Sequence, residues 1–158
     1  MADFLESEEL AGIAELNDID PQTGKILYTL ETSHALCELI NHTPFSSNAV
    51  IDLMIKVTDI LIMAGYAASI AGIESHGNLC PENIFLNEEG RVQLVNYGLQ
   101  QFDIVAHTEG LLPKPNPESL FLAPPERLGF EPEEPISDLF SLTLLSFSLL
   151  TGQHLYQG

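Results

Sequence analysis

His76, Asn78, Asn83 and Asn96 are the residues of this 158-residue chain whose types and spacing could do chemistry. A histidine in a cleft is the usual general base near neutral pH, while clustered amides offer donors and acceptors but only a poor seat for a hard divalent cation. These residues fall in two loops, HGNLCPEN at His76–Asn83 and NYG at Asn96–Gly98. Between the loops, Ile84, Phe85 and Leu86 make a short apolar run, and Val92, Leu94 and Val95 make a return strand. Asn87, Glu88, Glu89 and Gly90 supply the polar and positive-φ residues of a tight turn. A hairpin this short is not stable alone, so it must lie against a larger body and hold the two loops side by side.

The register of His76, Leu79 and Asn83 resembles the catalytic loop of the protein kinases, H-R-D-L-x-x-x-N, and Asn96-Tyr97-Gly98 stands where that family has D-F-G. The 13 residues from Asn83 to Asn96 match the family's hairpin. Ala123-Pro124-Pro125-Glu126 resembles the A-P-E end of an activation segment, and Asp138, 12 residues on, resembles the Asp that opens the family's buried central helix. The resemblance implies an α+β, mainly helical fold, a truncated protein-kinase large lobe with one small-lobe hairpin. Residues 1–31 are then the hairpin remnant and 32–158 a partial large lobe ending after the central helix, together one truncated pseudokinase domain.

The departures from the family imply an inactive protein. Kinases position phosphate with a Gly-rich loop, a strand Lys, a catalytic-loop Asp, an Asn and the D-F-G Asp. Here only Asn83 matches. The catalytic Asp position is Asn78, whose amide takes no proton from a substrate hydroxyl, the catalytic-loop Lys is Cys80, and the D-F-G Asp is Asn96. No G-x-G-x-x-G precedes the loop, and Lys25 sits in a turn. The resemblance therefore implies weak or absent ATP binding, no cofactor and no metal. It gives His76, Tyr97, Glu126 and Asp138 bracing roles: His76 packs on Tyr97, and Asp138 caps its helix and bonds the 76–78 backbone. Glu126, whose family partner is an Arg on a later helix, must turn to Arg127, Arg91, solvent or another molecule. The function implied is a non-catalytic protein interaction or scaffold module; a nucleotide-sensing switch and a phosphotransferase completed by a partner chain are the alternatives.

Composition narrows the partners. With 23 acidic against 5 basic residues the formal net charge is −18, which repels nucleic acid, anionic membranes and polyphosphate nucleotides. Hydrophobic content of 45% argues a folded globular chain. Cys37 and Cys80 are expected as free thiols in a reducing compartment. The amino terminus has no basic segment followed by an apolar core, and the apolar runs at 60–73 and 139–150 are too short for a span. Cytoplasmic location without membrane insertion is the expectation. His34, His42, His107 and His154 are dispersed without metal-ligand spacing.

The positioning elements follow from periodicity and punctuation. Leu10 to Asp20 and Lys25 to Glu31 read as strands around an Asp20–Gly24 turn. Thr32 or Ser33 caps a short helix through Ala35 and Leu39, and Ser46 or Ser47 opens a long helix whose apolar second half predicts deep burial. Leu99 to Ala123 reads as irregular. Ser137 caps a last helix from Asp138 to about Leu150, stopped by Thr151-Gly152. That helix is apolar all round, so Phe140, Leu144 and Phe147 are expected at an interface with a second copy of the chain or another protein.

Overall fold

The computed structural model describes residues 12–20, 26–31, 33–40, 43–68, 73–98, 117–129, 131 and 133–155. Its class is α+β, with two small antiparallel sheets and two long helices. In the first sheet β1 (Glu15–Ile19) pairs with β2 (Ile26–Thr29), Leu16 opposite Tyr28 and Ile19 opposite Ile26, with a bulge between Leu16 and Asp18. Ile26 and Tyr28 point to the half-buried side while Leu27 and Thr29 face out, the alternation a one-sided strand dictates. The expected turn at 20–24 and the stretch 1–11 lie largely outside the described residues.

The second sheet is the hairpin read from sequence, with one strand more. β4 (Ile84–Asn87) pairs with β5 (Val92–Leu94) in the register Ile84 to Leu94 and Leu86 to Val92. Asn87 closes the turn by accepting from the amides of Glu89 and Arg91 on Oδ1, and Gly90 takes φ +75. The added strand is β3 (Ser33–Ala35), laid antiparallel on β4. This corrects the expected helix cap: Ser33 belongs to β3, and α1 (Leu36–Leu39) starts after Ala35 with no side-chain cap. The segment before β1 joins the same sheet edge, with Ala14 N–H donating to Leu94 O and Leu94 N–H to Gly12 O.

The long helix α2 (Ser47–Ala68) is opened by Ser46, whose hydroxyl accepts from the amide of Ala49 at 3.3 Å. It buries Val50, Leu53, Val57 and Ala64. Its second half is not buried as expected: Ile62, Met63 and Tyr66 are exposed, Tyr66 by 83%. Among the described residues the helix meets the core along the stripe of Val50, Leu53, Val57 and Ala64.

A single-turn helix, α3 (Pro125–Leu128), precedes α4 (Pro135–Thr151), which starts one turn before the expected Asp138. Pro135 suits the first helical position, and Glu134 caps it: its side chain takes the Ser137 amide while Ser137 Oγ takes the Glu134 amide at 3.2 Å. Ser137 is thus inside the helix. Gly152, in the left-handed region at φ +71, closes it with an N–H to Ser148 O. The core lies between α2, α4 and the second sheet, centred on Val57, Leu79, Ile84, Leu94, Leu142 and Leu145.

Candidate functional site

Between the second sheet and the start of α4 the chain brings its two loops together. Gly98 N–H donates to His76 O at 3.0 Å and Val95 N–H to Asn83 O at 3.1 Å, so the end of the hairpin is sewn to both ends of the 76–83 loop. Gly77 and Gly98 hold φ of +77 and +70, which glycine adopts without Cβ strain. Asn96 holds φ +63, a region Asn enters more readily than other residues with a Cβ.

The three asparagines form a directed chain of hydrogen bonds. Tyr28 Oη donates to Asn96 Oδ1 at 2.7 Å, Asn96 Nδ2 to Asn83 Oδ1 at 2.8 Å, and Asn83 Nδ2 to the Asn78 carbonyl at 2.8 Å. The Asn96 amide returns a bond to Tyr28 Oη at 3.1 Å. The side-chain amides of Asn96 and Asn83 therefore each have a partner on both oxygen and nitrogen, while Asn78 enters the chain through its backbone carbonyl. Among the described residues no group of three or more His, Cys, Asp or Glu stands close enough to hold a metal ion; the donors here are neutral and committed to one another.

Asp138 braces the loop from beneath. It is buried on α4 and accepts the backbone N–H of His76 on Oδ2 at 2.6 Å and that of Gly77 on Oδ1 at 3.0 Å. Burial pushes its carboxyl up to about 6, the Glu133 charge adds to that, and the two N–H donors and Arg127 pull the other way. His76 is fully buried, its ring edge-on to Tyr97 with centroids 5.4 Å apart, and its Nδ1 accepts from the Asn78 amide at 3.2 Å. Nε2 is buried. Burial lowers the imidazole to about 4, with the Val95 backbone beside the ring opposing and the Arg127 charge contributing, so the ring is neutral at physiological pH. The ring is fully buried and packs against Tyr97. Burial likewise pushes Cys80 up to about 12, helped by the Glu82 charge and hydrogen bond, which removes its thiolate as a nucleophile.

Arg127 was not singled out by sequence as a member of this cluster. It forms a part-buried ion pair with Glu133, Nε to Oε1 at 2.7 Å, and donates through Nη2 to the Gly77 carbonyl and through Nη1 to Asn78 Oδ1. Arg127 is therefore engaged by Glu133 and the loop; Glu126 Oε2 is buried without a partner among the described residues, and Arg91 pairs with Glu31 and Glu89 instead. Tyr28 was also missed. The one sequence signal for it is the alternation of ILYT, which puts Ile26 and Tyr28 on one face of β2.

The expected interface residues are divided. Leu144 is 5% exposed and belongs to the chain's own core, a correction to its expected place at an interface; α4 packs on α2 and on the 117–122 turn. Phe140 is partly buried against the same core. Phe147, 37% exposed, faces outward with Leu139 and Leu150. No helix among the described residues is long and apolar enough to cross a membrane. No protein-family model matches this sequence, and no curated protein matches it significantly.

Proposed function

We propose that this chain carries a short form of the protein-kinase large lobe with a single small-lobe hairpin, a pseudokinase in which the place for phosphoryl transfer has become a structural joint. The chain works by binding another protein. The observation that carries this reading is the closed chain from Tyr28 through Asn96 and Asn83 to Asn78. A kinase needs anionic ligands for its magnesium and a carboxylate to take the substrate proton at these positions. Here four neutral groups satisfy one another, and Arg127 lies over Asn78.

The protein-binding face is the apolar surface left outside the core: Phe147, Leu139 and Leu150 on α4, and Ile51, Ile55 and Ile62 on α2. On each helix these exposed side chains recur at spacings that share one face, the kind of apolar surface that meets a second copy or another protein. The two free cysteines, Cys37 and Cys80, suit a reducing, cytoplasmic setting.

Two measurements test the proposal together. Single-turnover assays with labelled ATP and magnesium at high protein concentration are expected to show no phosphate release and no self-labelling, and millimolar ATP with magnesium is expected to leave the melting temperature unchanged. Turnover abolished by Asn83→Ala would establish a phosphotransferase, and magnesium-dependent stabilisation by ATP would establish a nucleotide sensor. Light scattering at micromolar concentration, with Phe147→Glu as the comparison, reads self-association directly.

A further inference from the structure

A cavity of about 360 Å³ lies apart from the amide cluster, between α1, the 81–83 turn and the C-terminal end of α4. Its volume is within the range of roughly 300–1,000 Å³ usual for small-molecule sites. Phe45, Leu145 and Leu149 give it an apolar wall, and both leucines are buried in the core. Glu82 is the one carboxylate among the described lining residues, and none of them is Lys or Arg.

The polar side of the cavity carries Glu82, Ser148, Gln153 and His154. Ser148 Oγ donates its proton to Leu144 O at 3.0 Å, so its 3.2 Å contact with His154 Nδ1 needs the ring to donate there. The ring is held in place by stacking on Phe121 with centroids 5.2 Å apart. The field at the cavity is negative by a second sign: after burial, the charges of Glu82 and Glu38 push the Cys37 thiol up. An anionic guest would meet both this field and a net charge of −18.

We propose that this cavity binds an organic cation, an ammonium or guanidinium group on an aliphatic or aryl stem, with the Glu82 carboxylate facing the charge and Phe45, Leu145 and Leu149 enclosing the stem. The site goes beyond the interaction-module reading and does not depend on it: the amide cluster can be closed or open without changing this wall.

The test follows backbone amide shifts of the isotope-labelled chain during titration with 4-phenylbutylamine, its alcohol analogue and its carboxylate analogue. At its size the amine is expected to bind with Kd of about 1 mM, shifting the amides of Cys37, Gly152, Gln153 and His154, while the carboxylate leaves them in place. Glu82→Gln is expected to weaken the amine about tenfold and leave the alcohol within about twofold. Cys37→Phe, which fills the mouth, is expected to abolish binding of both while the melting temperature holds. A capped lysine tripeptide forms a second arm; if it binds under the same Glu82 dependence and the free amine does not, the cation belongs to a protein side chain. Equal binding of amine and alcohol, shifts spread over the acidic surface, insensitivity to Cys37→Phe, or no shift from either arm at 10 mM (about ten times the expected Kd) would each overturn the proposal.

Discussion

The side-chain amide of Asn96 donates to the side-chain oxygen of Asn83 at 2.8 Å. Because Tyr28 Oη already donates to the Asn96 oxygen and Asn83 donates onward to the Asn78 carbonyl, the orientation of both amides is set by their neighbours. The chain of bonds has a direction, and only an amide at position 96 can pass it along.

Asn96→Asp therefore breaks the chain, although a carboxylate at this position is what a magnesium site would need. The carboxylate still accepts from Tyr28 but has no proton for Asn83 Oδ1, and turning the Asn83 amide round would set its oxygen against the Asn78 carbonyl. One hydrogen bond is lost and two oxygens are opposed, an expected destabilisation of about 1–3 kcal/mol in urea unfolding. Magnesium at 10 mM, about a hundredfold above the protein concentration such assays use, is expected not to restore the loss. A variant as stable as the parent, or one rescued by magnesium, would mean the cluster is not the closed joint described.

The ion pair of Arg127 and Glu133 makes a separate prediction. Their side chains are 11% and 9% exposed, so removing Arg127 leaves the Glu133 charge largely out of water without this partner. Arg127→Ala is expected to cost about 3–5 kcal/mol, whereas Arg127→Met combined with Glu133→Leu is expected to cost far less, since replacing a whole buried pair by apolar residues is often near neutral. The Gly77 carbonyl, which loses its Arg127 donor in both variants, keeps the double variant from becoming more stable than the parent. A double variant as unstable as Arg127→Ala would show that Arg127 acts through the loop and not through Glu133.

The parts legible in the sequence were those that local chemistry dictates. The hairpin at 84–94 could be read from two apolar runs and an Asn-Glu-Glu-Gly turn, and the bonds of Asp138 to the 76–77 backbone lie where a resemblance of spacing put them. What escaped was set by partners distant along the chain. Tyr28 reaches Asn96 across 68 residues, and β3 has three residues, too few to show alternation. The apolar residues of α2 surround the helix while, among the described residues, Ile62, Met63 and Tyr66 stay exposed, and a hydrophobic count cannot say which face is covered.

Gly98 is a position where space and backbone agree. At φ +70 a Cβ is strained, and an added one would stand 2.5 Å from Ile73 Cγ2, a branch that cannot swing clear as a chain end can. Gly98→Ala is expected to cost about 1–2 kcal/mol for the backbone and about 1–3 kcal/mol for overpacking. Adding Ile73→Ala is expected to recover the packing share and leave the backbone share, so the two substitutions are less harmful together than their sum. Additive losses in thermal unfolding would mean the Ile73 contact is not the source of the strain.

His76 and Asp138, joined through the His76 backbone amide, make opposite contributions to stability over the same range of pH. Asp138 titrates at about 6 in the folded chain, above the value of about 4 for an aspartate in an unfolded chain. Folding therefore takes up a proton between those values, and this contribution is present at lower pH and lost as the pH rises through 6. His76 titrates at about 4 when folded, below the ordinary value of about 6.5. The unfolded chain binds that proton first, so its contribution is present at neutral pH and lost as the pH falls towards 4. Each shift is roughly two pH units, worth about 2–3 kcal/mol at full extent, and across pH 4–6 the two nearly cancel. Asp138→Asn removes the first and is expected to make stability fall more steeply on acidification than in the parent. His76→Gln removes the second, and its stability relative to the parent is expected to rise as the pH is lowered from 6.5 to 4. Urea midpoints for the parent and both variants at pH 7, 6, 5 and 4 read the difference in slope, which isolates this pair from the relief of a net charge of −18 common to all three proteins. Parallel curves would show that neither buried group titrates in this range.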